Sequence, residues 1–347
     1  MATYDGLFDA LGLRAWCDAG GGGGGPMSMA DLMARASGGS AAPAGSWWDL
    51  PLPSLNNLHA ACGAIWQTRD LTLGLERAFL SARDALRIVL DPVTQPLSWM
   101  LRQMIWLMVA TPWFIMLPLL LAVTWAVARS WRVVGLVALS LGFLAFVDHY
   151  TEAMQTLAII FVCAFICVLI GVPVGIAMSR SAALRRIGTP VLDMLQTLPA
   201  FVYLIPLIFL FSVTEPKLYG IAIILYAIVP VIRLTDLGIR LVDPDVIEAA
   251  DAFGMTRGQK LWRVQIPLAL PNIMAGVNQT IMMSLAMVVI ASLVSAPGLG
   301  VLVLRGIRNL ELGVGLVAGF GIVLLAIILD RVTKASLARI DVSRDGR

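Results

Sequence analysis

Asp243-Pro244-Asp245-Val246-Ile247-Glu248-Ala249-Ala250-Asp251-Ala252-Phe253-Gly254-Met255-Thr256-Arg257-Gly258-Gln259-Lys260-Leu261-Trp262-Arg263-Val264-Gln265-Ile266-Pro267 is the stretch that decides the fold. Asp243 can cap a helix, and Pro244 suits the first helical position, where no N–H is needed. Gly254 is a good stop for a helix running from Pro244 to Phe253. Thr256 followed three residues later by Gln259 reads as a capping box, opening a second helix that Pro267 is expected to end. The result is a helix–glycine turn–helix hairpin with long apolar runs on both sides.

Those runs set the class. The 347 residues are 59% hydrophobic and 14% charged, against about a quarter charged in soluble domains. Uncharged stretches cover 103–128, 133–147, 153–179, 194–214, 218–232, 264–304 and 312–329. A spanning helix needs about 20 residues, so 133–147 and 218–232 must borrow from their flanks, and Arg233 can snorkel for the second. Pro267 and Pro271 mark the start of 264–304, and Ala296-Pro297-Gly298-Leu299-Gly300 breaks it. Seven spans are expected in an all-α polytopic membrane protein.

The loops give the sidedness. Arg129, Arg132, Arg180, Arg185, Arg186, Arg240, Arg257, Lys260, Arg263 and the Arg/Lys of the C-terminal tail fall on one side. Asp148, His149, Glu152, Glu215, Lys217, Arg305, Arg308 and Glu311 fall on the other. The first set is the richer in Lys and Arg and is read as cytoplasmic. That places the 243–267 hairpin and the C-terminus inside, and the N-terminus outside provided that 133–147 crosses. Residues 1–102 differ from the rest, with six consecutive glycines, Gly20 to Gly25. They are expected to be a periplasmic tail, disordered over 1–45, with an interfacial helix over 71–90. No secretory leader is expected, because a basic start followed by an apolar core is missing.

The spacing Glu248-Ala249-Ala250, three residues, Gly254, nine residues, then Val264-Gln265-Ile266-Pro267 resembles the EAA loop of ABC importer permeases. Gln196-Thr197-Leu198-Pro199-Ala200-Phe201-Val202-Tyr203-Leu204, Ala275 to Thr280, Met287 to Ser292 and Ala326 to Arg331 extend the likeness to the permease subunit of the bacterial glycine betaine/proline betaine importers. The resemblance implies a type I ABC importer permease (MetI-like) core of five helices over 150–334. Two extra spans in 103–149 and the tail 1–102 precede it, and a cytoplasmic tail, 335–347, follows. It implies import of glycine betaine, proline betaine or a related quaternary ammonium compound across the bacterial inner membrane; choline, carnitine, histidine or taurine are alternative cargoes. It also implies a dimer of separate ATPase subunits, a second permease copy and a periplasmic betaine-binding protein. Glu248, Ala249, Ala250, Gly254, Val264, Ile266 and Pro267 would form the element that docks on the ATPase.

The chain contains no Gly-x-x-x-x-Gly-Lys-Ser/Thr phosphate loop, so ATP and Mg are expected on the partner ATPase, with no cofactor or metal on this chain. Scattered basic residues give no case for nucleic acid. An intramembrane enzyme would want paired carboxylates or metal ligands at mid-span, and none is found. Arg233 and Asp236, i and i+3, can form a structural pair or couple to transport. Phe201, Tyr203 and Tyr226 could line a path for a quaternary ammonium group or be ordinary interface aromatics. Gly298 and Gly300 can form a periplasmic gate turn or a plain loop, with Arg305 and Arg308 beside them. Gly171 and Gly175 have the spacing of a close helix contact, although Pro173 makes a bend as plausible. Cys163 and Cys167 read as small packing residues on one helix face, and Cys17 could pair with Cys62.

Overall fold

The computed structural model describes residues 68–340 and a few positions between 8 and 16, and among these residues there is no strand. The glycine run, Cys17 and Cys62 lie outside the described residues. The chain divides into two units, 1–82 and 83–347. In the first, the described residues are chiefly the opening turns of a helix. The account below concerns the second.

The helices are α1 (Thr68–Ala110), α2 (Trp113–Ala128), α3 (Trp131–Phe146), α4 (Tyr150–Arg180), α5 (Ala182–Thr197), α6 (Leu204–Leu210), α7 (Pro216–Ala227), α8 (Val229–Arg240), α9 (Pro244–Ala252), α10 (Arg257–Lys260), α11 (Ile266–Ala291), α12 (Leu299–Asn309) and α13 (Leu312–Ile340). Tyr150–Arg180, Pro216–Arg240, Arg257–Val294 and Leu312–Ala338 are long and apolar enough to cross a bilayer. The other three expected spans differ. Run 103–128 breaks at Thr111-Pro112, where α1 and α2 meet at 114°. Pro112 has no N–H and pushes Thr111 out of helical geometry, while the Thr111 hydroxyl turns back to the Leu107 carbonyl (2.6 Å). Run 194–214 breaks at Leu198-Pro199 for the same reason, with 105° between its halves. The third, α3, has 16 residues, about 24 Å at the helical rise and short of a full crossing.

The centre is a close packing of α4, α8 and α11, and it explains two glycines that left a choice open in the sequence. A Cβ on Gly171 would lie 2.4 Å from Val231 Cγ1, and one on Gly175 would lie 2.6 Å from Thr235 Cβ and 2.7 Å from the Ile232 carbonyl. The pair therefore marks a close helix approach. Cys163 and Cys167 are buried on α4 with free thiols, their sulfurs 3.9 and 3.8 Å from the Gly220 and Ile224 carbonyls of α7. They act as packing residues.

The N-terminal boundary at 102 is displaced, because residues 68–102 belong to α1, which continues unbroken to Ala110. From residue 83 onward α1 is part of the membrane unit. Leu97 and Leu101 are buried in the main core, and a Cβ on Gly220 would meet Leu101 Cδ1 at 2.7 Å. A charge network closes this contact. The Lys217 side chain is 4% exposed, and its Nζ sits 2.6 Å from Asp91 Oδ1 and 2.8 Å from Glu215 Oε2. Arg87 pairs with Asp91 at 3.2 Å, and the Lys217 ammonium lies 5.1 Å from the Phe211 ring centre. Removing one partner of a buried pair leaves uncompensated charge at a cost of about 3–5 kcal/mol. The carboxylates here are about a third exposed, so water offsets part of that. Lys217→Met is expected to lower stability by roughly 1–3 kcal/mol. Thermal unfolding of the solubilised chain checks this, with Lys217→Arg expected to retain most of the stability.

Candidate functional site

The quoted stretch forms the hairpin expected of it. The Asp243 carboxylate accepts from the Asp245 amide at 3.0 Å, and α9 ends at Phe253. Gly254 turns the chain at φ +73°, a conformation open to glycine at no steric cost. The capping box is complete: the Gln259 amide donates to Thr256 Oγ1 (3.3 Å) and the Thr256 amide to Gln259 Oε1 (2.9 Å). Lys260 Nζ reaches back to both Asp251 carboxylate oxygens at 2.6 and 2.7 Å. This bridge ties the two arms together. Opposite charges flanking the Gly254 turn were its signal in the sequence.

Two details of the motif differ from the sequence reading. Ala250 is buried and packs inward. Its small size therefore serves the fit of α9 on its own chain, while Ala249 and Glu248 remain exposed. Pro267 does not end the second helix. Leu261–Gln265 widens into a π turn, and Pro267 falls in the first turn of α11. The wider turn absorbs the hydrogen bond that proline cannot make, so the helix runs continuously from Arg257 to Val294. Val264 and Ile266 are half-buried, and Ile266 packs on the small core formed by Ile239, Leu261, Ala269 and Ile273. The hairpin is thus joined mechanically to a spanning helix, while its outer side presents Phe253 and Trp262, 85% and 67% exposed.

Behind α9 lies a cleft of about 380 Å³, lined by Ser179, Arg240, Pro244, Ile247, Glu248 and Gln265 among others. Its Arg240 belongs to a pair that corrects the reading of Arg233 and Asp236. Asp236, buried on α8, is bound by Arg240 one turn on, at 3.1 and 2.7 Å. Arg233 instead meets Asp193 of α5. An i, i+3 partner was available, but tertiary packing supplied each residue with another. The sequence missed Asp193 and Arg240, because loop and surface charges carry no contact signal by themselves.

The aromatic candidates separate. The Tyr203 hydroxyl donates to the Leu195 carbonyl, and its ring meets Tyr226 edge to face, centroids 6.4 Å apart. Phe201 is exposed. At the turn before α12, Gly298 adopts φ +120° and the Leu299 amide donates to Thr156 Oγ1 of α4 at 3.0 Å. Gly300 is pressed onto Ser292, whose Oγ would lie 2.2 Å from an added Cβ. Arg305 pairs with Glu311 at 3.2 Å. A further network, missed in sequence, joins α11 to α13: Asn278 donates to Asp330 (3.3 Å) and receives the Thr333 hydroxyl.

Residues 167–342 match the family described as binding-protein-dependent transport system inner membrane component. The chain belongs to this family. Its similarity to named members is substantial. It is 46% identical over 224 residues to the glycine betaine/proline betaine transport system permease protein ProW of Salmonella typhimurium, covering 63% of this chain and 61% of that protein. It is 45% identical over 222 residues to the glycine betaine transport system permease protein OpuAB of Bacillus subtilis, covering 62% of this chain and 78% of that protein. The match thus spans about three fifths of the length of the first. Among solved structures, the MetNI methionine ABC transporter in its inward-facing conformation is similar at TM-score 0.50 and 20% identity, covering 55% of this chain and 95% of that one. This likeness concerns the fold, which is the MetI-like, all-α permease fold of a multi-pass membrane protein.

Proposed function

We infer that the chain is the permease subunit of an ATP-driven importer moving glycine betaine, proline betaine or a related quaternary ammonium compound into the cytoplasm. One observation carries the machine: the 243–267 hairpin, with Glu248, Ala249 and Phe253 exposed, built directly onto a spanning helix. Such an element can pass a push from a docked partner into the membrane without bending, because the hydrogen-bonded helix continues through Pro267. The cargo reading comes from the relatives named above. The hairpin side faces the cytoplasm, where Arg180, Arg185, Arg186, Arg257 and Arg263 gather.

The partners in this reading are an ATPase dimer on the hairpin, a second permease copy, and a binding protein on the face that carries α12. ATP and Mg bind the ATPase, and this chain holds no cofactor. Closure of the ATPases moves α9, α11 follows, and the path opens to the outside. Phe201, Tyr203 and Tyr226 offer aromatic faces to a passing cation, and Gly298 and Gly300 fix the turn beneath the gate helix.

The test is uptake. The permease is expressed with its ATPase and binding protein in cells lacking their own betaine transport, and labelled glycine betaine is measured. Uptake competed by excess proline betaine, and weakly by histidine or taurine, is the expected result. Competition by choline or carnitine alone, with no betaine entry, would overturn the cargo while leaving the machine intact.

A further inference from the structure

The helix that carries the hairpin, α11, is held differently on two of its faces. Toward α8, a Cβ added at Gly276 would lie 3.1 Å from Val231 Cα and 3.2 Å from the Pro230 carbonyl. Thr280 and Ser284 continue this stripe at one-turn steps. Both are fully buried, and neither hydroxyl has a hydrogen-bond partner. The contact with α8 is close, but shape alone holds it.

Toward α13 the contact is directional. The Asn278 amide donates to Asp330 Oδ1 at 3.3 Å, and the Asn278 carbonyl accepts the Thr333 hydroxyl. Lys334, one turn past Asp330, holds the same carboxylate at 2.9 Å. Asn278, Asp330 and Thr333 are half-buried, where water competes less for these bonds. Among the described residues, no other hydrogen bond or ion pair joins a side chain of α11 to another helix.

Further along, α13 seats α12. A Cβ on Gly306 of α12 would lie 2.5 Å from Gly315 Cα, and one on Gly321 of α13 would lie 3.3 Å from Leu299 Cδ1 of α12. Gly315 stands about 22 Å along α13 from Asp330. The start of α12 rests on the far end of the α11 arm, where Gly300 meets Ser292. The Asn278–Asp330 bond therefore closes a frame of three helices, with the hairpin at one end and α12 at the other.

We propose that Asn278 and Asp330 are positioning residues for transport, and that their bond makes α11, α13 and α12 move as one body against α8 when the hairpin is pushed. This assignment rests on the importer reading of the hairpin. With the bond broken, α11 can shift past α13, and ATP hydrolysis no longer drives the path open.

The permease, its ATPase and its binding protein are reconstituted in liposomes, and labelled betaine uptake is measured beside ATP hydrolysis. Asn278→Asp, which sets two carboxylates against each other, should lower uptake per ATP hydrolysed by about tenfold, the scale of one charge-assisted bond. Hydrolysis itself should stay nearly unchanged. Asn278→Ala, which removes the bond without adding charge, should show the same split. Asp330→Asn keeps a neutral bond and should lose less. The exchange Asn278→Asp with Asp330→Asn restores donor and acceptor and should recover most of the uptake. Uptake and hydrolysis falling together in both Asn278 variants would show a merely structural contact and overturn the assignment. Failure of the exchange to recover uptake, or normal uptake by Asn278→Asp and Asn278→Ala, would also overturn it. No betaine uptake by the unmodified transporter would instead overturn the importer reading, and this assignment with it.

Discussion

Gly254→Asp is expected to abolish uptake while leaving the permease in the membrane at its normal level. A Cβ at this position meets no atom of the chain within 4 Å, so the new side chain creates no internal overlap. The backbone there has φ +73°, where aspartate is among the better-tolerated residues. The fold therefore loses roughly 1 kcal/mol or less. The proposed ATPase contact loses more, because a charged side chain now stands on the turn between the exposed Phe253 and the second arm. A central contact in such an interface is worth about 2 kcal/mol or more, which corresponds to roughly thirtyfold weaker association. The measurement is co-purification of the ATPase with the tagged permease, alongside betaine uptake and permease abundance. Gly254→Ala, smaller and uncharged, should retain part of both. A loss of uptake matched by an equal loss of permease from the membrane would place the effect in folding and defeat the docking reading.

The second large effect is expected at Gly298. Its backbone, φ +120° and ψ −165°, lies in a region essentially restricted to glycine, and other residues there cost about 1–3 kcal/mol. An added Cβ would also lie 2.3 Å from Thr156 Oγ1 and 3.1 Å from the Glu152 carbonyl. Relief of that overlap must displace the Thr156 hydroxyl, which accepts the Leu299 amide, and an unmet buried donor costs about 1–3 kcal/mol more. Gly298→Ala should therefore destabilise the solubilised chain by about 3 kcal/mol, read as a fall in unfolding temperature. In Thr156→Ala, a smaller loss is expected. The double variant should lose less than the sum, since the overlap and the hydrogen bond share one atom. Strict additivity would show that Thr156 is not what Gly298 accommodates.

Several elements could be read without any coordinates. Caps and turns are local: the Asp243 cap, the Gly254 stop and the Thr256–Gln259 box depend on residues two or three apart, and each formed as the spacing indicated. Long apolar runs likewise sufficed for the four full-length spans. Spans interrupted by Pro112 and Pro199 were read as straight, because a hydropathy run records composition and ignores the direction of the chain. At Pro267 the opposite happened. Proline is a strong local stop signal, yet a π turn carried the helix through, a solution stabilised by the packing of Leu261 and Ile266 on Ile239 and Ala269.

By itself, then, the sequence determined the class of the protein, its helical hairpin with the residues that cap it, and the family to which those residues point. These rest on interactions between near neighbours and on the partition of apolar runs into the bilayer. Only the tertiary structure decided which charges pair: Arg233 with Asp193, Asp236 with Arg240, Lys217 with Asp91. It alone made 83–110 part of the membrane unit, and it turned Ala250 inward. An ion pair across 126 residues of sequence leaves no periodic trace. The partner of a charge is set by which helices the core packing brings together.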